Sequence, residues 1–174
     1  MLIERMGIMK MSRIWAMPNH WTFKIKPIAE LLERYGVGEN WVDPFCGQSR
    51  LAEYRNDLNP EIEGCDHMLA VDYVKHIEGN FDGVIFDPPY SGRQVSEHYK
   101  HLNKKVHQDD TNAYFYTSVK DAITPKIRNG GRAISFGWNS NGFGKVRGFV
   151  LEEIVLVAHG GNHNDTIVTV ERKI

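Results

Sequence analysis

Apolar and polar positions follow two periods along this chain. Ile28, Leu31, Leu32 and Tyr35 recur at i, i+3, i+4 and i+7, with Pro27 near the first turn and Gly36 past the end, which predicts an amphipathic helix. Leu69, Ala70, Tyr73, Val74 and Ile77 predict a second helix, ending at Gly79. Phe115, Val119, Ala122 and Ile123 mark one face of a third over Thr111–Arg128, bent or interrupted by Pro125 and closed by Asn129-Gly130-Gly131. Between these lie short apolar runs of strand type: Trp41-Val42, Val84–Phe86, Arg132–Phe136, Glu153–Ala158 and Thr166–Val170. The glycines and asparagines of His159–Asp165 suit a hairpin turn between the last two, which favours a satisfied turn over a metal site at His159 and His163. A helical turn or two over Gln48–Glu53, a second strand ending at Asn56–Pro60 and a short third strand at Glu63–His67 complete the expectation. Met1–Met17 has no clear period and is compatible with a strand or a partly ordered arm. The order is five α/β units followed by an antiparallel pair, an α/β doubly wound sheet with one reversed strand.

Candidate chemistry gathers at strand ends. Val84-Ile85-Phe86 has the pattern of a strand buried on both faces, and Asp87 stands at its carboxyl end. Pro88 and Pro89 then stop the ladder, because neither can donate a backbone hydrogen bond. Such a corner faces the crevice where open α/β sheets bind ligands. Alone it could be a polar turn, but a second corner, Asp43-Pro44-Phe45-Cys46-Gly47, also follows an apolar stretch. Gly47 can take a positive φ and admit a ligand close to the backbone. Asp57 suits the ribose-binding acid of a second strand, and Asn56–Pro60 is equally good turn chemistry.

Composition narrows the class. The 174 residues suit one domain, 1–174, and 41% hydrophobic with 25% charged content is ordinary for a soluble globular protein. No apolar run is long enough to span a bilayer, and the first 27 residues do not read as a secretory signal. Cys46 and Cys65 lack zinc-type spacing, so reduced thiols and a cytoplasmic setting are expected. A net charge of −1 requires any nucleic-acid footprint to be local. The densest cationic run is Ser91–Asp110, which holds Arg93, Lys100, Lys104 and Lys105 among few large aliphatics. It adjoins the Asp87 corner and reads as a substrate-contacting loop.

The Asp-Pro-Pro-Tyr motif at 87–90, with Thr22–Pro27, Asp43–Gly47, Asn56–Pro60, Gly130–Ser140 and His159–Val170, resembles S-adenosylmethionine-dependent DNA adenine-N6 methyltransferases of the small phage and prophage type. The resemblance covers nearly the whole chain. It implies a Rossmann-like methyltransferase fold, a seven-stranded mixed sheet with helices on both faces and a C-terminal antiparallel hairpin. It implies S-adenosylmethionine as cofactor, held by Phe23, Lys24, Asp43, Pro44, Phe45, Cys46, Gly47, Asp57 and Asp87. Leu69 occupies the place where the family often has an acid against the cofactor adenine, so Asp66 is the substitute candidate. Catalysis would rest on Asp87, Pro88, Pro89 and Tyr90, with Tyr90 stacking on a flipped base. DNA would be contacted through Arg93, Lys100, Lys104 and Lys105, and the chemistry needs no metal. RNA base and cytosine-N4 methyltransferases share the corner or the fold and stand as alternatives; a non-catalytic binding module is a third. A monomer or homodimer is expected, and without a separate target-recognition domain that task is open to a partner protein.

Overall fold

The computed structural model describes residues 8–89 and 113–174. Among them, seven strands form one sheet: β1 (Lys10–Trp15), β2 (Trp41–Asp43), β3 (Tyr54–Arg55), β4 (Phe81–Phe86), β5 (Ile127–Gly137), β6 (Phe149–Ala158) and β7 (Thr166–Lys173). Their spatial order is β1-β6-β7-β5-β4-β2-β3. Of these strands only β7 runs against its neighbours, β5 and β6; the other pairs are parallel. The three helices described are α1 (Lys26–Arg34), α2 (Ala70–His76) and α3 (Ala113–Ile123).

The helices cover opposite faces. Ile28, Leu31 and Leu32 of α1 pack on Trp41, Ile85, Ile134, Val157, Val168 and Val170. On the other face, Tyr73 and Val74 of α2 with Val119 and Ile123 of α3 bury Val42, Val84, Phe86 and Ala133. Each fully buried aliphatic or aromatic side chain contributes about 1.5–3 kcal/mol through its removal from water. Gly83 permits the close packing at β2, because a Cβ there would lie 2.5 Å from the Trp41 ring and 2.7 Å from the Arg132 carbonyl.

The sheet has the expected strand number and a partly different membership. The Glu63–His67 segment is no strand: it contributes a single parallel bridge, Asn56 to Asp66. Glu63 and Gly64 are exposed and offer nothing to bury against a helix, so the chain turns there. The outermost strand on the opposite edge is β1, drawn from the N-terminal arm that showed no period. No helix forms over Gln48–Glu53. Backbone bonds from Cys46 to Asn56 and from Glu53 to Gly38 pull the short β2–β3 connection flat against the sheet instead. The third helix ends at Ile123, a 3-10 turn at Thr124–Lys126 carries Pro125, and β5 begins at Ile127, ahead of the expected Arg132. Asn129–Gly131 therefore lies in an irregularity of the β4–β5 ladder rather than before it.

Candidate active site

The chain runs from β2 outward to β3 and then returns to place β4 on the other side of β2. Such a reversal opens a crevice at the carboxyl ends of the strands. Asp43 ends β2, Asn56 and Asp57 follow β3, and Asp87 follows β4, so the acids read from sequence converge at this point.

Asp43 is fully buried. Its Oδ1 accepts the Phe45 N–H at 3.1 Å, and its Oδ2 is buried without a partner among the described residues. Burial holds this carboxyl well above the usual carboxylate range; Asp87 and Asp57 push it further, while the Phe45 N–H and Arg55 oppose the shift. A buried acceptor that no described residue satisfies is expensive, and it marks a position where a ligand donor fits.

Asp57 is used differently. Its Oδ2 accepts the Gly47 N–H at 2.9 Å and its Oδ1 the Asn59 N–H at 2.8 Å, so the turn chemistry is realised. A carboxylate offers about four acceptor sites, which leaves one on each oxygen for a ligand. Gly47 has φ +50°, a conformation only glycine adopts readily, and open space where a side chain would stand. Cys46 beside it is buried, with its Sγ 3.3 Å from the Gly47 carbonyl, and burial raises its thiol pKa. Asp66 is exposed one bridge away, at the same strand end. Phe23 packs on Phe136 with ring centroids 5.1 Å apart, at the level of Asp87 in the β4–β5 register. Lys24 is exposed, its ammonium 6.0 Å above the Trp21 ring. A polar cavity of about 240 Å³ opens on the β3 side of Gly47 between Arg50, Arg55, Glu61 and Glu63, and none of the three acids lines it.

At the Asp87 corner, Pro88 is buried and the Pro89 carbonyl accepts the Tyr116 hydroxyl. Burial pushes Tyr116 up to about 12, so it remains a donor at neutral pH. Phe45 meets Phe86 edge-on at 5.5 Å, which joins the two corners through one aromatic contact. Tyr90, Arg93, Lys100, Lys104, Lys105 and the loop expected over Ser91–Asp110 lie outside the described residues.

Three positioning residues, Tyr116, Lys120 and Glu171, escaped the sequence reading, and a fourth, Asn56, was read only within the Asn56–Pro60 motif. Asn56 donates to the Pro44 and Met68 carbonyls and accepts the Met68 N–H, locking the Asp43 corner to the segment before α2. Tyr116 had a readable signal, since Tyr116, Val119 and Ile123 fall at i, i+3 and i+7. Lys120 and Glu171 had none. Lys120 lies 5.0 Å over the Phe86 ring and donates to the Asn141 and Gly142 carbonyls, and burial lowers its pKa. Glu171 accepts the Phe143 and Gly144 N–H groups. Together they brace the loop after β5, which carries the half-exposed Trp138. His159 is buried with both ring nitrogens bonded, to the Ala16 carbonyl and the Thr166 hydroxyl, as expected of a satisfied turn.

No family model matches the chain and no curated protein matches it. Solved structures do. TrmN from Thermus thermophilus shares 19% identity over 86% of this chain and 49% of its own, with a TM-score of 0.52, so this chain spans about half its length. The 1,6-didemethyltoxoflavin-N1-methyltransferase of Burkholderia thailandensis, solved with S-adenosylhomocysteine, has 14% identity over 83% of this chain and 75% of its own, at a TM-score of 0.53. The precorrin-6y C5,15-methyltransferase of Geobacter metallireducens has 12% identity over 92% and 94%, at 0.57. At such identities the likeness establishes the architecture: this is the Rossmann-like methyltransferase fold, with a seven-stranded mixed sheet and helices on both faces.

Proposed function

We propose that this chain is an S-adenosylmethionine-dependent methyltransferase, and that its substrate is the N6 amine of adenine in DNA. The observation that carries the reading is the buried Oδ2 of Asp43, unpartnered among the described residues, on the strand next to the Asp87-Pro88-Pro89 corner at the switch point of a methyltransferase-type sheet. The residues fit the cofactor. Asp43 lacks a donor that a ligand ammonium or hydroxyl supplies, Gly47 leaves room, and Asp57 keeps acceptor sites suited to ribose hydroxyls. Asp43, Phe45, Gly47 and Asp57 would hold it. When bound, S-adenosylmethionine supplies an activated methyl group on a sulfonium.

The chain's own residues then act on the amine. An exocyclic amine is a poor nucleophile because its lone pair is delocalised into the ring. Asp87 and the Pro88 carbonyl accept its two N–H bonds and favour the pyramidal form whose lone pair is free. As positive charge develops on nitrogen, the same acceptors stabilise it, and losing one such contact typically costs about 10²–10³ in rate. The Tyr116 hydrogen bond holds the Pro89 carbonyl and thereby the direction of the corner. Tyr90 stacks on the extruded base, and Asp rather than Ser at position 87 favours adenine over cytosine.

The test is calorimetric titration with S-adenosylmethionine, followed by incubation of labelled cofactor with DNA and with RNA and mass analysis of the nucleosides. N6-methyladenine in DNA is expected, and Asp87→Ala should abolish it while DNA binding persists. Methyl groups found only in RNA, or on cytosine, would refute the substrate; absence of cofactor binding would refute the class.

A further inference from the structure

Three carboxyls meet at the switch point: Asp43 ends β2, Asp57 follows β3 and Asp87 follows β4. Asp57 keeps each oxygen on a backbone N–H. Asp43 is fully buried, with one such bond, from Phe45, and an Oδ2 that has no partner among the described residues. Ionised there, it would hold a charge out of water on a single donor, with two more acids beside it. Such a group keeps its proton instead. The groups that act on it come from the surrounding elements. Asp87 and Asp57 hold its proton on, and Arg55 of β3 opposes them. Cys46 beside the corner and Tyr73 of α2 complete the set; burial pushes both up, so they stay neutral below about pH 8.

We infer, resting on the cofactor assignment proposed above, that Asp43 exchanges a proton for a cation: as S-adenosylmethionine binds, the carboxyl releases one proton to solvent and the freed carboxylate pairs with a positive group of the cofactor. The ligand suits the exchange, because it carries an ammonium and a sulfonium against one carboxylate. A hydroxyl donor would leave the proton in place, and the excess of acids over Arg55 favours a positive group. Charge balances: one proton leaves as one positive group takes its place beside the carboxylate. By linkage, the free protein holds a proton that the complex lacks, so affinity rises with pH. The rise is up to about tenfold per pH unit, until the free carboxyl itself ionises.

Calorimetry tests this at about pH 6.5, where an α-ammonium, which titrates near about 7.7–8.0, keeps its own proton. S-adenosylmethionine is titrated into the purified chain in phosphate and in imidazole, buffers of unequal protonation enthalpy. The two heats should differ by the uptake of one proton into buffer, and binding should tighten as pH is raised toward that value. Asp43→Asn should bind more weakly and give equal heats in both buffers. Equal heats for the wild type, with an affinity indifferent to pH, overturn the inference. So does an Asp43→Asn protein that still releases the proton, because Asp57 or Asp87 is then its source. No binding in either buffer, with none by equilibrium dialysis, refutes the cofactor assignment and this exchange with it. Where Asp43→Asn does not fold, infrared difference spectra of the wild type keep the test open. The band of a buried protonated carboxyl should vanish on addition of S-adenosylmethionine, and a band that persists overturns the exchange.

Discussion

The substitution Asp43→Asn tests the site without any assumption about the substrate. In the folded chain this carboxyl is fully buried, with one oxygen bonded to the Phe45 N–H and the other unpartnered among the described residues. Burial raises its folded pKa above the unfolded value. Below about pH 4 both states are protonated and the group exerts no pH-dependent effect. As pH rises from there, the unfolded chain releases the proton while the folded chain retains it, and stability falls. One proton corresponds to a slope of about 1.4 kcal/mol per pH unit, continuing until the folded pKa is passed. The asparagine side chain cannot titrate. It keeps the acceptor for Phe45 and points an amide nitrogen where the protonated Oδ2 likewise offers an unsatisfied donor, so any offset between the two proteins is constant with pH. The absolute stabilities therefore mix two effects, and the slope isolates one. Urea denaturation of both proteins across pH 4–7 should give a difference curve that favours the variant increasingly as pH rises. Parallel curves would refute the reasoning, because they would mean Asp43 titrates alike in both states. In the proposed function the same variant binds S-adenosylmethionine more weakly while being relatively more stable near neutrality, the trade expected where a buried acid serves a ligand rather than the fold.

Tyr116→Phe should lower stability by about 1 kcal/mol by leaving the Pro89 carbonyl without its donor. Turnover should fall more than cofactor affinity, read from methylation kinetics beside calorimetry. Ser135→Ala and Thr169→Val should be neutral or raise the melting temperature, because both hydroxyls are buried without partners among the described residues; a clear loss of stability would count against that assignment. Glu153→Ala should lower stability by about 2 kcal/mol at neutral pH, since it accepts two bonds from Arg34 and one from Tyr35. Burial, then the Glu153 bond, pushes Tyr35 up to about 12. Its stabilising effect is thus present below about pH 10 and lost as pH rises toward 12. Tyrosinate absorbance should show one residue titrating earlier in the variant.

The helix α1 could be read from the chain because its signals are local: four apolar positions on one face, Pro27 at its start and Gly36 past its end. The Asp87 corner was legible for a related reason. A strand buried on both faces must be apolar throughout, and prolines must end its ladder, so both leave a mark within eight residues. The edge strand β1 left none, since a strand exposed on both faces is under no constraint to alternate; only its pairing with β6, far along the chain, makes it a strand. The absence of a third strand at Glu63–His67 follows from exposure: Glu63 and Gly64 bury nothing against the described helices, and the segment makes a single bridge, Asn56 to Asp66. At the site, composition and spacing supplied the acids, and the tertiary structure divided their roles. Asp57 became a half-satisfied acceptor and Asp43 a buried carboxyl whose Oδ2 has no partner among the described residues: the Asn59 N–H is a local turn donor, whereas the Gly47 N–H reaches Asp57 only when the strand ends converge.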